Sequence, residues 1–300
     1  MLKISASLFA LFFLIPVSSS GQDTALGQLL AGAGQEAAVP LAPLPDRGGA
    51  IDYTLGWDDQ APLTYAQKPA RALSLGGGKA RLENVRWGRT PADHKSYAWE
   101  TVTVDAARLS KAVYAYKTFG TGHTLLVFTF EEGGAVNARG ESVRALTFGA
   151  EGWSREPEGY NITHAIAGKY PLIWLATTFE SYADYTANYK QKEIFFRNIA
   201  IDRAQSVRLF ELLLARIEET NRNRETYNLF TNSCTNNPVN LLNQVLPEAQ
   251  RISLEVAGLM NPNASIPKYA VRRYTEKGAL LPETFRVGPG NYAEFDITKI

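Results

Sequence analysis

The run Tyr-Asn-Leu-Phe-Thr-Asn-Ser-Cys-Thr-Asn-Asn-Pro-Val-Asn occupies residues 227–240 and contains Cys234, the single cysteine of this 300-residue chain. An apolar helical pattern, Leu-Leu-Asn-Gln-Val-Leu at residues 241–246, follows it. A lone thiol cannot form an internal disulfide, so it is either a buried small residue or a nucleophile. Both interpretations are open at this point, and the choice between them decides the function.

The position of Pro238 indicates where the helix after Cys234 begins. Proline fits best at the first helical position, which predicts a helix start near Pro238, a cap at Asn236 or Asn237, and Cys234 one turn upstream. Backbone N–H groups near a helix start lower the pKa of a thiol and can bind an oxyanion. The polar neighbours of Cys234 are therefore candidate substrate-binding or oxyanion residues: Asn232, Ser233 and Thr235.

A catalytic thiol needs a base, and the chain offers three histidines. His123 opens the strongest predicted strand, 123–131, directly after Gly122, where a strand would hold the imidazole rigidly. His164 lies in a turn-like stretch, and His94 lies in a polar loop that is expected to be solvated. The sequence favours His123 and leaves His164 open, because spacing alone does not establish contact.

The N-terminus predicts export. Residues 1–20 have one charge at Lys3, an apolar stretch and a small-residue end, which is typical of a secretory signal peptide. A retained membrane anchor is the alternative, although the apolar stretch is shorter than the roughly 20 residues of a spanning helix. Residues 21–48, rich in Ala, Gly, Leu and Pro, predict a flexible linker. We expect a periplasmic protein with no retained transmembrane segment.

The composition excludes some classes of function. A hydrophobic content of 45% indicates a globular domain, and a formal net charge of +1 argues against nucleic-acid binding. Three scattered histidines and one cysteine predict no metal site, and no dinucleotide or phosphate-loop motif is present, so no cofactor is expected.

Strand patterns come first along the chain and helix patterns follow. Strands are predicted at 81–87, 112–117, 123–131, 143–149, 173–179 and 194–201, with a hairpin joining the third to the fourth. Asp202 and Gln205 form a capping-box pattern before a helix that ends near residue 221, and a further helix is predicted over 267–277. This order predicts an α+β fold with an antiparallel sheet and helices packed on it.

These residues together resemble a known family. The 227–237 run, the Gly-His-Thr segment at 122–124, and the segments 82–86, 147–156, 168–172 and 267–280 occur in the order of the Lnb N-terminal periplasmic domain family. The resemblance covers about residues 80–282. It differs from the family pattern at Ser233, Trp153 and Pro238.

The resemblance implies a circularly permuted papain-like fold, in which the histidine strand precedes the cysteine helix. It implies Cys234 as the nucleophile, His123 as the base and Glu151 as the group that orients the base. The domain would span residues 49–290, with an N-terminal β extension, followed by a tail at 291–300.

Two functions remain open. One is an exported cysteine hydrolase or acyltransferase that attacks an amide or ester of a cell-envelope peptide, lipoprotein or lipid through an acyl-enzyme. The other is a non-catalytic envelope binding module of the same fold. Tyrosines in 179–189 could line its groove, although spacing of this kind more often belongs to a core. The sequence leaves peripheral membrane contact and oligomeric state open.

Overall fold

The computed structural model describes residues 64–117, 122–154 and 159–300. The predicted signal peptide (1–20), the linker (21–48) and the predicted domain start at residue 49 lie outside these residues, so they stay predictions.

The described chain contains thirteen strands. They are β1 (Arg71–Gly76), β2 (Lys79–Trp87), β3 (Ala98–Asp105), β4 (Leu109–Lys117), β5 (His123–Phe130), β6 (Ala135–Asn137), β7 (Ala145–Gly152), β8 (Tyr170–Thr178), β9 (Ile194–Asn198), β10 (Thr226–Tyr227), β11 (Glu255–Val256), β12 (Leu259–Met260) and β13 (Phe285–Val287).

Eleven of the described strands form one sheet. Its order is β13-β9-β4-β5-β7-β8-β2-β3-β6, with β1 also paired to β2 and β10 also paired to β8. All pairs are antiparallel except β2 with β8. The fold is therefore α+β with a large, mostly antiparallel sheet, as predicted. The short β6 separates β5 from β7 along the chain and pairs with β3, so these two strands are neighbours without forming a simple hairpin.

Helices cover parts of the sheet. They are α1 (Ile162–Ile166), α2 (Phe179–Ala183), α3 (Arg203–Asn223), α4 (Asn236–Asn243), α5 (Pro262–Ser265) and α6 (Pro267–Glu276), with a π-helix at Asp184–Tyr189 that continues α2. Helix α3 begins at the predicted capping box, since Asp202 accepts from the backbone of Gln205 and the Gln205 side chain accepts from the Asp202 N–H. Each of the two side chains therefore accepts a hydrogen bond from the backbone of the other residue, and this pair of bonds fixes the start of the helix.

The two faces of the sheet bury separate apolar clusters. On one face, the rings of Phe128 and Phe148 pack against Phe210 of α3, with centroid distances of 5.0 and 6.1 Å. On the other face, Leu125 and Val127 lie in the cluster that includes Phe179 and the C-terminal residues. The alternation of neighbouring residues between faces follows from the two-residue period of a strand.

Residues 291–300, predicted as a tail, contribute to this second cluster. Ile297 and Ile300 are buried, and the Phe295 ring stacks on Phe196 of β9 at 5.7 Å between centroids. Burial of large apolar side chains stabilises by about 1.5–3 kcal/mol each, so this segment is an integral part of the domain.

Candidate functional site

His123 and Glu151 face each other across two neighbouring strands. The β5–β7 pairing sets Leu126 opposite Phe148, and the same register carried to the strand ends sets His123 opposite Glu151. The Nε2 atom of His123 lies 2.9 Å from Glu151 Oε1, and both side chains are largely buried. The sheet register therefore joins two residues that are distant in sequence.

Gly149 provides the space for this pair. It lies two residues before Glu151 on the same face of β7, and a Cβ atom there would lie 3.0 Å from Glu151 Oε1 and 3.1 Å from His123 Nε2. The same atom would lie 2.8 Å from Leu125 Cδ2. Any side chain at residue 149 would therefore press on the carboxylate and the imidazole.

The start of the cysteine helix differs from the prediction. The N–H of Asn237 donates to the Ser233 carbonyl at 3.2 Å, an i to i−4 bond, so a helical turn already begins at Ser233 ahead of α4. Ser233 Oγ accepts from the N–H groups of Thr235 and Asn236, and Asn236 Oδ1 accepts from the Ser233 N–H and Oγ–H. This reciprocal pair acts as a capping box. Helix α4 begins at Asn236, two residues before Pro238, and the serine–asparagine pair caps the preceding turn, which contains Cys234.

A second network holds the loop that enters this turn. Arg216 of α3 forms a bidentate pair with Glu225, at 2.5 and 2.7 Å, and its Nε donates to Asn237 Oδ1 at 3.1 Å. Asn237 Nδ2 donates to Asn232 Oδ1 at 2.9 Å, and Asn232 Nδ2 donates to Glu225 Oε2 at 2.9 Å. Asparagines of the 227–240 run thus belong to a closed hydrogen-bond network that fixes the backbone around Cys234.

The sulfur of Cys234 lies 3.9 Å from Thr235 Oγ1. The His123 ring, the Thr124 backbone N–H and the Tyr227 hydroxyl each favour the ionised form of the thiol. Nε2 of His123 faces Glu151, which leaves Nδ1 as the ring nitrogen available to another partner. Cys234 is 4% exposed. Thiol, imidazole and carboxylate therefore form a continuous chain of contacts.

The pKa values of Cys234, His123 and Glu151 all shift so as to favour the charged form of each group. Burial opposes the ionised thiol, but the charge of His123 and the donors on the sulfur outweigh it and lower the pKa of Cys234. Burial likewise disfavours imidazolium, yet the charges of Glu151 and Cys234 raise the pKa of His123 to about 9. Against burial, His123 lowers the pKa of Glu151. A thiolate–imidazolium pair is therefore favoured near neutral pH.

The other predicted site residues lie close to Cys234 but are engaged within the protein. Ser233 and Thr235 have no exposed surface, and Thr235 Oγ1 lies 3.1 Å from Thr124 Oγ1 on β5. Asn232 is held in the network described above. Their contacts position the cysteine turn against β5, and a role in binding substrate or oxyanion stays a prediction.

The two alternative histidines are placed elsewhere. His164 lies on α1, with its ring 6.0 Å from the Tyr170 ring, and it does not line the main cavity. His94 is exposed, as expected for a solvated loop, but its ring stacks on Tyr189 at 3.9 Å at the edge of that cavity. Of the three histidines, only His123 acts on the ionisation of Cys234.

A cavity of about 820 Å³ lies beside the His123–Glu151 pair. Both members of the pair line it, together with Tyr227, and Tyr160 and Ile162 lie at its exposed side. The tyrosines of the 179–189 segment also line it: Tyr182, Tyr185 and Tyr189. The interpretation of these tyrosines as core residues therefore accounts for only part of their environment. The cavity volume is typical of sites for small molecules.

Several residues of this site were missed by sequence reasoning. Tyr227 opens the cysteine run, but only the fold shows its hydroxyl directed at the sulfur. Lys117 is the cross-strand neighbour of His123, and Arg86 lies on β2; both line the cavity. No local pattern distinguishes these two from ordinary strand residues.

Metal-binding clusters and membrane-spanning helices are both absent from the described residues. No group of three or more His, Cys, Asp or Glu side chains there is arranged to hold a metal ion. No helix in that part of the chain is long and apolar enough to cross a membrane.

Comparison with family models gives one match, to the Lnb N-terminal periplasmic domain, over residues 95–271. The matched range is more than half of the chain and contains His123, Glu151 and Cys234. The chain belongs to this family. Neither the curated proteins nor the solved structures gave a match. Membership in the Lnb N-terminal periplasmic domain family supports the predicted periplasmic location.

Proposed function

We propose that this protein is an exported cysteine hydrolase or acyltransferase that acts on an amide or ester in the cell envelope. The observation that carries the proposal is the contact chain from Cys234 through His123 to Glu151, with opposite pKa shifts at thiol and imidazole. A thiolate is the reactive form of cysteine, and an adjacent imidazolium supplies a proton to the leaving group.

The reaction proceeds in two halves. The Cys234 thiolate attacks the carbonyl carbon, a C–S bond forms, and the carbonyl electrons move to oxygen as an oxyanion. When the C–N or C–O bond breaks, His123 gives its proton to the departing amine or alcohol, and a thioester remains. Water or an amine then attacks the thioester while His123 takes its proton, and the thiolate departs.

A donor for the oxyanion is available at the cysteine itself. The backbone N–H of Cys234 faces the Tyr227 hydroxyl, and it lies in the turn that leads into α4. Such N–H groups stabilise a developing negative oxygen. In this scheme Asn232, Ser233 and Thr235 position the turn, and Glu151 holds the imidazole in the orientation that directs Nδ1 to sulfur.

The fold and the substrates form part of the same proposal. The order of histidine strand, glutamate strand and cysteine helix supports the permuted papain-like arrangement that the resemblance implies. The exposed Tyr160 and Ile162 at the cavity edge support an apolar substrate portion, such as the acyl chain of a lipid or lipoprotein. The same two side chains support peripheral contact with a membrane surface.

The experiment is acylation by a neutral nitrophenyl ester, followed by intact-mass and peptide mass spectrometry. We expect a single acyl adduct on Cys234, release of nitrophenol in a burst, and loss of both in Cys234→Ala. His123→Gln should fold and lose the burst at neutral pH. The proposal would be refuted if the protein hydrolysed the ester while Cys234 stayed unmodified. It would also be refuted if no acyl adduct formed on Cys234 at any pH.

A binding module is the second candidate, and one observation favours it. The sulfur is 4% exposed, and Cys234 is not among the residues that line the cavity, although its partners His123 and Tyr227 are. A ligand could therefore occupy the cavity without reaching sulfur. Under this alternative, Cys234→Ala would bind envelope extracts or lipids as the wild type does, and no acyl adduct would form.

A further inference from the structure

The cavity wall contains a buried cation that lacks a carboxylate partner. Arg86 is 1% exposed, and no carboxylate of the described residues lies within ion-pair distance of it. Its Nε donates to Ser181 Oγ at 3.2 Å and its Nη1 donates to the Ala66 carbonyl at 2.9 Å. The Nη2 atom has no hydrogen-bond partner among the described residues.

The neighbouring groups compensate this charge only in part. The guanidinium lies over the rings of Tyr185 and Tyr97, at 4.7 and 5.5 Å from their centroids. Asp184 is buried nearby on the π-helix, but its two oxygens accept from the Thr90 N–H and from Asn188 Nδ2. Buried charges in proteins are ordinarily paired and fully hydrogen-bonded, because an unpaired one is costly. An arginine that is held rigidly with one free end is therefore suited to bind an anion.

The sheet places this arginine on the same face as the candidate catalytic pair. Arg86 lies beside Thr177 in the β2–β8 pairing, and Thr177 lies opposite Thr147 of β7. Thr147, Gly149 and Glu151 alternate onto one face of β7, so Arg86 and Glu151 are directed to the same cavity. Lys117 joins them from β4, as the cross-strand neighbour of His123. The cavity is thus lined by the candidate catalytic pair His123 and Glu151 and by the cationic side chains of Arg86 and Lys117.

We propose that Arg86 forms an anion-binding subsite that receives a carboxylate or phosphate group of the substrate, while the scissile carbonyl lies at Cys234. Lys117 contributes a second positive charge at the same wall. The proposal rests on the proposed function for the reaction, and it narrows the substrate class to acyl compounds with an anionic group near the scissile bond.

The first test uses two alkylating reagents that differ in charge. Iodoacetate and iodoacetamide attack the same thiolate, so the ratio of their rates at Cys234 reports the preference of the cavity for an anion, independently of turnover. In Arg86→Met, we expect the ratio of iodoacetate to iodoacetamide rates to fall about tenfold, the loss expected for one hydrogen bond to a charged group. Arg144→Met removes the same charge outside the cavity and should leave the ratio unchanged.

A second measurement needs no variant. Inorganic phosphate and succinate are added separately to wild-type protein at constant ionic strength, and the iodoacetate rate is followed. Protection by phosphate alone indicates a phosphate ester or lipid headgroup, and protection by succinate alone indicates a carboxylate; either result supports the subsite. An unchanged reagent ratio in folded Arg86→Met, or no protection by either anion, overturns it.

A matched pair of esters separates this proposal from the proposed function. Nitrophenyl hemisuccinate and nitrophenyl valerate have acyl chains of similar length, and only the first carries a carboxylate. We expect wild-type kcat/KM to favour the hemisuccinate and Arg86→Met to lose that preference while it keeps activity on the neutral ester. Equal acylation of Cys234 by both esters in the wild type would refute the subsite alone. Failure of both esters to acylate Cys234 would refute the catalytic proposal, and the reagent ratio would still test the subsite.

Discussion

Substitution of Glu151 by glutamine tests the origin of the thiolate–imidazolium pair. The carboxylate lies 2.9 Å from His123 Nε2 and contributes to raising the pKa of His123 to about 9, against an ordinary value of 6.5. At 1.36 kcal/mol per pKa unit, this difference corresponds to about 3 kcal/mol in favour of the charged imidazole. Glutamine keeps the shape and removes the charge, while the effect of burial, which lowers the pKa of His123, remains. We therefore expect the pKa of His123 to fall toward or below 6.5.

The assay is the rate of alkylation of Cys234 by iodoacetamide as a function of pH, read by mass spectrometry. In the wild type the thiolate should persist well below the ordinary thiol pKa of 9.0, because imidazolium stabilises it. In Glu151→Gln the imidazole is neutral at pH 7, so the thiol pKa should rise. Loss of about 3 kcal/mol corresponds to a fall of about a hundredfold in rate at acidic to neutral pH. NMR titration of the His123 ring provides the direct pKa.

Glu141→Gln is the matched control, because Glu141 is an exposed carboxylate that pairs with Arg139 away from the cavity. It should leave the pH profile unchanged. If Glu151→Gln reproduces the wild-type profile and the wild-type His123 titration, the carboxylate does not stabilise the imidazolium, and the role assigned to Glu151 is wrong.

Three further predictions concern the same site. Gly149→Ala introduces a methyl group about 3 Å from the carboxylate–imidazole pair and should slow alkylation of Cys234 below neutral pH by roughly 10²-fold. Gly290→Ala is the control, because the space around Gly290 is open, and it should leave the rate unchanged. Equal alkylation rates in the two variants would contradict the packing argument. Tyr227→Phe removes a donor to the sulfur, so the pKa of Cys234 should rise by about one unit in a pH–rate profile, and an unchanged profile would exclude that hydrogen bond. Since the folded pKa of His123 is raised, its contribution to stability is complete below 6.5 and is lost as pH rises through about 9. Urea unfolding of wild type and His123→Gln should therefore converge at high pH, and a difference that grows with pH would contradict the assigned shift.

Local patterns predicted much of this structure from the sequence. The strand predicted at 123–131 and the capping box at Asp202 are confirmed by β5 and by the start of α3. Each of these signals depends on residues within a few positions of each other. The resemblance to the family, which the family model confirms, supplied the association of His123, Glu151 and Cys234 that spacing alone could not.

The errors arose where two local signals competed. Pro238 indicated a helix start, but α4 begins two residues earlier, at Asn236, after a turn in which Ser233 and Asn236 cap each other. Proline is tolerated at this point, because the first turn of a helix lacks N–H partners in any case. The side chains of 291–300 gave no strong pattern, and their burial depends on an apolar face of β9 that only the folded sheet creates.

The cationic wall could not be predicted, because it depends on strand pairs that are distant in sequence. Arg86 reaches the cavity only because β2 joins β8 in the one parallel pair among the described strands of the large sheet. The His123–Glu151 contact depends on the β5–β7 register in the same way. A slip of one residue would set Ala150 or Gly152 opposite His123 and turn Glu151 to the other face. What prevents that slip lies on the far side of the sheet, where Phe128 and Phe148 are fixed against Phe210 of α3. The apolar core therefore determines the chemistry on the opposite face, since it fixes which polar side chains meet.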